Sequence, residues 1–204
     1  MRIKSVTARQ ILNGKGHPTL EVEVQTGRHR ATSSAPIAAS KSKYEFFDAY
    51  DNDLTRFKGE SLDIIVDNVN RVIGPELIGK NVLDQEDLDS HLLQLDNTLE
   101  RTHLGVNTLT ATSQAIAKLG AMESELPLFK YLRVLHDYSS HSDEKLNSQY
   151  IMPHPVVTVY RSSQHDSSKH LPVQEILVFP KGGFSYVRDL VNMFNTLNDL
   201  NLNE

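Results

Sequence analysis

The stretch Thr19-Leu20-Glu21-Val22-Glu23-Val24-Gln25 alternates polar and apolar residues for a full strand length. A period of two puts Leu20, Val22 and Val24 on one face and Thr19, Glu21, Glu23 and Gln25 on the other, the pattern of a half-buried strand. Upstream, residues 3–12 carry Ile3, Val6, Ile11 and Leu12 among polar neighbours and read as a first strand. Asn13-Gly14-Lys15-Gly16-His17-Pro18 breaks the chain between them, because two glycines and a proline supply turn dihedrals. This run lacks the GxxxxGK[ST] spacing of a phosphate loop and precedes a strand, so it reads as a hairpin bend. Thr26-Gly27-Arg28 is a second turn, and a third strand from His29 to about Ala35 completes an antiparallel meander. Pro36 to Lys43 is small and polar and reads as a surface loop.

Helices follow the strands. Leu62, Ile65, Val69, Val72 and Ile73 recur at helical spacing, and Gly74-Pro75 is expected to stop that helix. Asp84 suits the N-cap of a helix carrying Leu88, Leu92 and Leu95 on one stripe. Residues 105–123 are rich in Ala, Thr and Ser, so a helix there can approach a sheet or another helix closely. Pro127 opens a short helix through Leu128, Tyr131, Leu132 and Leu135. Three strands followed by helices is an α+β arrangement. The boundaries expected are a first domain over 1–137, a polar linker over 138–150 and an incomplete second unit over 151–204. That unit holds apolar runs at Ile151–Tyr160 and Gln174–Pro180 and a helix from about Phe184, whose asparagine-rich tail from Asn195 is expected to fray.

Composition narrows the function classes. The chain has 204 residues, no cysteine, and 21 basic against 26 acidic residues for a net charge of −5. Disulfides, thiolate zinc sites, cysteine nucleophiles and Fe–S clusters are excluded. Without a Lys/Arg run, nothing resembles a nucleic-acid footprint. No apolar run reaches the ~18 residues of a membrane span. Met1-Arg2-Ile3-Lys4-Ser5-Val6 has no apolar segment behind its charges, so a secretory signal is not expected. The expectation is a soluble cytoplasmic protein with no nucleic-acid or membrane partner. His165 and His170 have no third ligand at metal spacing and read as solvated loop histidines.

Collinear motifs carry a family resemblance. Ala8-Arg9-Gln10-Ile11-Leu12-Asn13-Gly14-Lys15-Gly16-His17-Pro18-Thr19-Leu20-Glu21-Val22 resembles the enolase opening ARxIxDSRGNPTVEV. Ala35-Pro36-Ile37-Ala38-Ala39-Ser40 with Tyr44-Glu45 is similar to the VPSGAST…YE loop. Leu104-Gly105-Val106-Asn107-Thr108-Leu109 is similar to FGANAIL, and Glu125-Leu126-Pro127-Leu128-Phe129 to ELPLY. The resemblance runs from residue 3 to about 197. It implies an α+β N-terminal domain, a three-stranded antiparallel meander followed by helices, plus the first strands and helix of an incomplete enolase-type α/β barrel. It also implies a Mg²⁺-dependent glycolytic lyase, phosphopyruvate hydratase, converting 2-phosphoglycerate to phosphoenolpyruvate.

Four site residues carry over by resemblance. Ser40 matches the loop serine that binds the second magnesium. His165 resembles the substrate-loop histidine, although Arg161-Ser162-Ser163-Gln164-His165 replaces NGGSH. Gln174 and Glu175 match the QEF pair, with Gln174 at the substrate and Glu175 as the carboxylate near the leaving hydroxyl. Glu21 corresponds to a hairpin that contacts a second subunit in the family, and as a lone residue it reads as the polar face of a strand. The resemblance places the base lysine, the three carboxylates of the first magnesium and the second catalytic glutamate beyond residue 204. A closed (β/α)8 barrel takes about 250 residues, so this chain holds only the start of one. The expectation is an enolase-like pseudoenzyme, inactive alone, with Glu175, His165 and Gln174 vestigial and Mg²⁺ not held tightly. A full-length enolase subunit or a second copy is the expected partner. The alternative is a fragment of an active enolase completed by another chain or by further coding sequence.

Overall fold

The computed structural model describes residues 1–36, 43, 46, 48–139, 150–153, 156–161, 175–179 and 187–201. They fall in two compact units, Met1–Lys145 and Leu146–Glu204.

The first unit opens with β1 (Ser5–Leu12), β2 (Pro18–Gln25) and β3 (Arg30–Ser34), an antiparallel meander in the order β1-β2-β3. Register pairs Ala8 with Val22 and Val24 with Ala31. Because Leu20, Val22 and Val24 share a face, that side of β2 is fully buried, while Glu21 faces out and pairs with Arg9 at 2.5 Å. The first bend is a hairpin turn. Asn13 Oδ1 accepts from the Lys15 and His17 amides at 2.9 and 3.0 Å, and Gly16 takes the left-handed conformation.

Helices α1 (Asp63–Asn68) and α2 (Gly74–Leu77) are joined by a π turn over Val69–Ile73. Gly74-Pro75 therefore does not stop the helix. Pro75 sits in the first turn of α2, where its missing N–H costs little. Gly74 serves close packing: a Cβ there would lie 3.0 Å from the Val6 carbonyl of β1. In the π turn, Asn70 reaches β1, accepting from the Ala8 amide (2.7 Å) and donating to its carbonyl (3.5 Å).

Next come α3 (Gln85–Leu95), α4 (Val106–Glu123) and α5 (Leu128–Ser139). Asp84 occupies the N-cap position of α3 but makes no capping bond; its carboxylate accepts from Asn81 Nδ2 at 2.9 Å. α4 crosses the buried face of β2 and β3, with Ala111, Ala115, Ile116 and Leu119 excluded from solvent. The alanines permit that close approach, and each buried Leu or Ile contributes roughly 1.5–3 kcal/mol. Gly120 has the same role toward α5, since a Cβ there would meet the Tyr131 ring at 2.7 Å from Cζ.

In the second unit, β4 (Val157–Arg161) and β5 (Glu175–Val178) pair antiparallel, with a register shift between Thr158 and Tyr160. Helix α6 (Val187–Asn201) continues past Asn195, where fraying was expected, as far as Asn201; the rest of that tail lies outside the described residues. Leu190, Val191 and Phe194 give it one apolar stripe, and Thr196 Oγ1 donates to the Asn192 carbonyl at 2.9 Å. Amphipathic patterning outweighs the low intrinsic propensity of asparagine here. No helix among the described residues is long and apolar enough to cross a membrane.

Candidate functional site

Of the four residues singled out by sequence, Ser40, His165 and Gln174 lie outside the described residues, as does the His165/His170 pair. Glu175 opens β5, half-buried, opposite Arg161 in the register. Magnesium asks for about six oxygen ligands in near-octahedral geometry. Among the described residues no three His, Asp or Glu side chains converge to offer such a set. No chemical step is routed through the ion.

The structure instead shows how the chain on either side of Ser40 is held. On the upstream side, Thr19 Oγ1 of β2 donates to the Ala35 carbonyl at 2.8 Å, and the Ala35 amide donates to the Leu20 carbonyl at 2.9 Å. On the downstream side, Asn107 in the first turn of α4 grips Ala49 from both directions. Its Oδ1 accepts from the Ala49 amide (3.2 Å) and its Nδ2 donates to the Ala49 carbonyl (3.0 Å). Gly105 makes room for this contact. It takes φ +89°, and a Cβ there would fall 2.5 Å from both Ala49 Cβ and Asn107 Oδ1. Two residues on, Asp51 accepts from the Asp63 and Ile64 amides at 2.7 and 2.9 Å and so caps α1 from outside the helix. Pro36, Asp48, Tyr50 and Asn107 border one small crevice where these anchors meet. Burial, then the Asp48 and Glu60 carboxylates, push the Tyr50 hydroxyl up from its ordinary value.

Two buried carboxylates are taken up by structure. Asp96, fully excluded from solvent, ends α3 and closes the connection to α4. Its Oδ1 accepts from Thr98 Oγ1 (2.5 Å) and the Thr98 amide (3.2 Å), and its Oδ2 from the Leu104 amide (2.7 Å). Burial pulls its carboxyl up, but the Thr98 side chain and the Leu104, Thr98 and Gly105 amides outweigh that and leave it below the usual value. Glu123 ends α4 and ties it to the β2–β3 turn, accepting from Thr26 Oγ1 and from His29 Nδ1 (3.1 Å) when that nitrogen carries the proton. The Thr26 bond holds its carboxyl low against the opposing effect of burial, with His29 assisting.

Sequence reasoning quoted Gly105 and Asn107 only as part of a motif and gave them no role. A glycine two residues ahead of an asparagine at a helix start was the available signal. Asp96 had a local signal in Asp96-Asn97-Thr98, an aspartate-to-i+2 turn that was not read; Glu123 carried none, because its partners Thr26 and His29 are brought to it by the fold.

Known proteins bear on this architecture. A family model described as the enolase N-terminal domain matches residues 3–132. "Enolase 1" of Entamoeba histolytica is 36% identical over 186 residues, covering 91% of this chain and 40% of that protein. "Enolase" of Mastigamoeba balamuthi is 34% identical over 200 residues, covering 98% of this chain and 43% of that protein. The chain thus spans about two fifths of the length of these curated relatives. With a model matching most of its length over the meander and the helices packed on it, the chain belongs to the enolase family.

Proposed function

We propose that this chain, with its α+β enolase N-terminal domain, is an enolase-like protein that binds an enolase, and that residues 1–204 do not dehydrate 2-phosphoglycerate alone. The observation that carries this is the match of residues 3–132 to an N-terminal domain, within a chain spanning two fifths of its relatives. Abstracting a weakly acidic carbon-bound proton needs a positioned base, worth typically 10²–10⁴-fold. It also needs preorganised charge at the developing anion, usually the larger effect. The buried carboxylates Asp96 and Glu123 are already committed to hydrogen bonds within the fold. In this reading the chain does not hold Mg²⁺ tightly, and its partner in the cytoplasm is a full-length enolase subunit or a second copy. The two-stranded sheet of the second unit leaves Ile176 and Leu177 exposed, and such a sheet needs further cover to be stable.

The test is an assay of phosphoenolpyruvate formation by the purified chain with Mg²⁺. No turnover above blank is expected; measurable turnover refutes the claim of inactivity. Co-sedimentation with a full-length enolase supports the partnership, and a monomer unaffected by added enolase refutes it.

A second reading has its own support, since the similarity continues past residue 132 to cover 91–98% of the chain, including the start of β5 at Glu175. The chain is then a piece of an active lyase. Sequencing the DNA beyond the Glu204 codon separates the two: a continuing frame with an enolase-like lysine and acidic motifs favours the second, and a stop favours the first.

A further inference from the structure

The bend between β1 and β2 holds Asn13-Gly14, the one Asn–Gly pair in the sequence. Its asparagine side chain is arranged as an electrophile. Asn13 Oδ1 accepts from the Lys15 and His17 amides at 2.9 and 3.0 Å. Both donors are main-chain N–H groups, so the side-chain oxygen is fixed toward them. Asn13 Nδ2 makes no hydrogen bond among the described residues. Two amides aimed at one carbonyl oxygen polarise its carbon, and they hold the oxyanion that forms when a nucleophile adds there.

The nucleophile is the next atom group along the chain. Gly14 is exposed, and its amide donates no hydrogen bond among the described residues. A Cβ built on Gly14 would meet nothing within 4 Å, so neither a side chain of its own nor a neighbour shields its nitrogen. Attack by that nitrogen on Asn13 Cγ closes a five-membered ring between adjacent residues, with no group brought from a distance. The product suits the bend. Aligned with the enolase opening ARxIxDSRGNPTVEV, Asn13 stands at the aspartate and Gly14 at the serine. A carboxylate there accepts from the same two amides, and more strongly than a neutral amide oxygen does.

We propose that Asn13 is a self-modification site, converted in the folded chain to aspartate and isoaspartate with water as the co-reactant. The Gly14 nitrogen gives its proton to hydroxide and bonds to Asn13 Cγ. The Cγ–Nδ2 bond breaks, and ammonia leaves with a proton taken from water, which regenerates the hydroxide. Water then opens the cyclic imide. Cleavage between Cγ and the Gly14 nitrogen gives aspartate, and cleavage at the former main-chain carbonyl gives isoaspartate. Either product makes the chain one unit more negative than its −5. In isoaspartate the main chain runs through Cβ and Cγ, one atom longer at the hairpin tip. The carbonyl that accepts from the Gly16 amide at 3.0 Å then becomes the free carboxylate. None of this rests on the catalytic reading above.

The test incubates the purified full chain in mildly alkaline buffer, with samples digested by trypsin and a zero-time sample correcting for the digestion. Trypsin releases Gln10–Lys15, which carries Asn13 as its one asparagine. Mass spectrometry reads the amide-to-acid exchange in that peptide, and electron-transfer fragmentation separates aspartate from isoaspartate. A synthetic peptide of residues 9–18, which lacks the sheet, is the reference. The expected result is first-order loss of Asn13 in the chain, no slower than in the peptide and in proportion to hydroxide concentration. Asn81, followed by β-branched Val82, should stay intact over the same interval. Gly14→Ala has room for its Cβ and needs no left-handed φ, so it should fold as the parent by circular dichroism and lose Asn13 several-fold more slowly. An unchanged Asn13 overturns the proposal, as does equal loss at Asn81 or a rate unaffected by Gly14→Ala. So does loss slower than in the peptide, because the bend would then shield Asn13 instead of activating it.

Discussion

Replacing Asp96 with alanine removes the acceptor for the Thr98 hydroxyl and for the Thr98, Leu104 and Gly105 amides at the junction of α3 and α4. The Leu104 amide, at 2.7 Å, belongs to a residue wholly excluded from solvent, so water cannot replace the lost carboxylate oxygen. The Thr98 hydroxyl and amide are partly hydrated and lose less. Hydrogen bonds to a charged acceptor contribute about 1.5–3 kcal/mol each, and an orphaned buried amide costs about 1–3 kcal/mol. Against this, the variant no longer buries a carboxylate, which returns part of the loss. The balance is a destabilisation of about 3–4 kcal/mol. For a unit of this size that corresponds to a fall in Tm of about 10 °C. Asp96→Asn should fall between, because one amide oxygen can serve one set of donors while its NH2 faces the other.

The pH dependence supplies an independent check on the same residue. Asp96 has a folded value below its unfolded one, so its contribution is complete above about pH 4. It is lost as pH falls through the folded value. The gap between wild type and Asp96→Ala should be full at neutral pH and shrink in acid. Urea melts at a series of pH values measure it. A neutral-pH loss under 1 kcal/mol, or a gap unchanged well below the carboxylate range, would refute the assignment of Asp96 as an ionised keystone.

Three further outcomes follow from the other anchors. Gly105→Ala forces a left-handed φ on alanine and drives Cβ to 2.5 Å from Ala49 and Asn107; a loss of about 3 kcal/mol is expected in a denaturant melt. Asn107→Ala should raise hydrogen exchange of the Ala49 amide at least about tenfold while Val22 and Ile116 stay protected; equal protection at Ala49 would contradict the clamp. Glu123→Gln should cost about 1–2 kcal/mol at neutral pH. Because Glu123 is held low chiefly by Thr26, the wild type should lose that advantage as pH falls through the folded Glu123 value, and the variant should not.

The meander was legible because a strict period of two leaves one assignment for Leu20, Val22 and Val24, and because Asn13 to Pro18 can only bend. α4 was legible from its small residues. Gly74-Pro75 misled, since stop signals are read locally, whereas Gly74 answers to the Val6 carbonyl across the fold. Asp84 does take the N-cap position of α3, but its carboxylate accepts from Asn81 instead of from the helix amides. The α6 tail shows the reverse, a stripe of Leu190, Val191 and Phe194 overriding the weak propensity of its asparagines. The candidate site was read through a family likeness, and of its members only Glu175 lies among the described residues. What the structure adds there is Thr19, Asn107 and Asp51, side chains bonded to backbone far away in sequence, partners that no local pattern names.

Asn70 has a consequence beyond its own two hydrogen bonds. By occupying the outward amide and carbonyl of Ala8, it stands where a neighbouring chain would have to pair with β1. At the opposite margin Lys118 Nζ donates to the Thr32 carbonyl at 3.1 Å, putting a cation on the outer side of β3. A sheet of three strands, ordinarily open to growth at both ends, is thereby sealed by one amide and one amine. A strand added at either edge would first have to displace one of these two side chains.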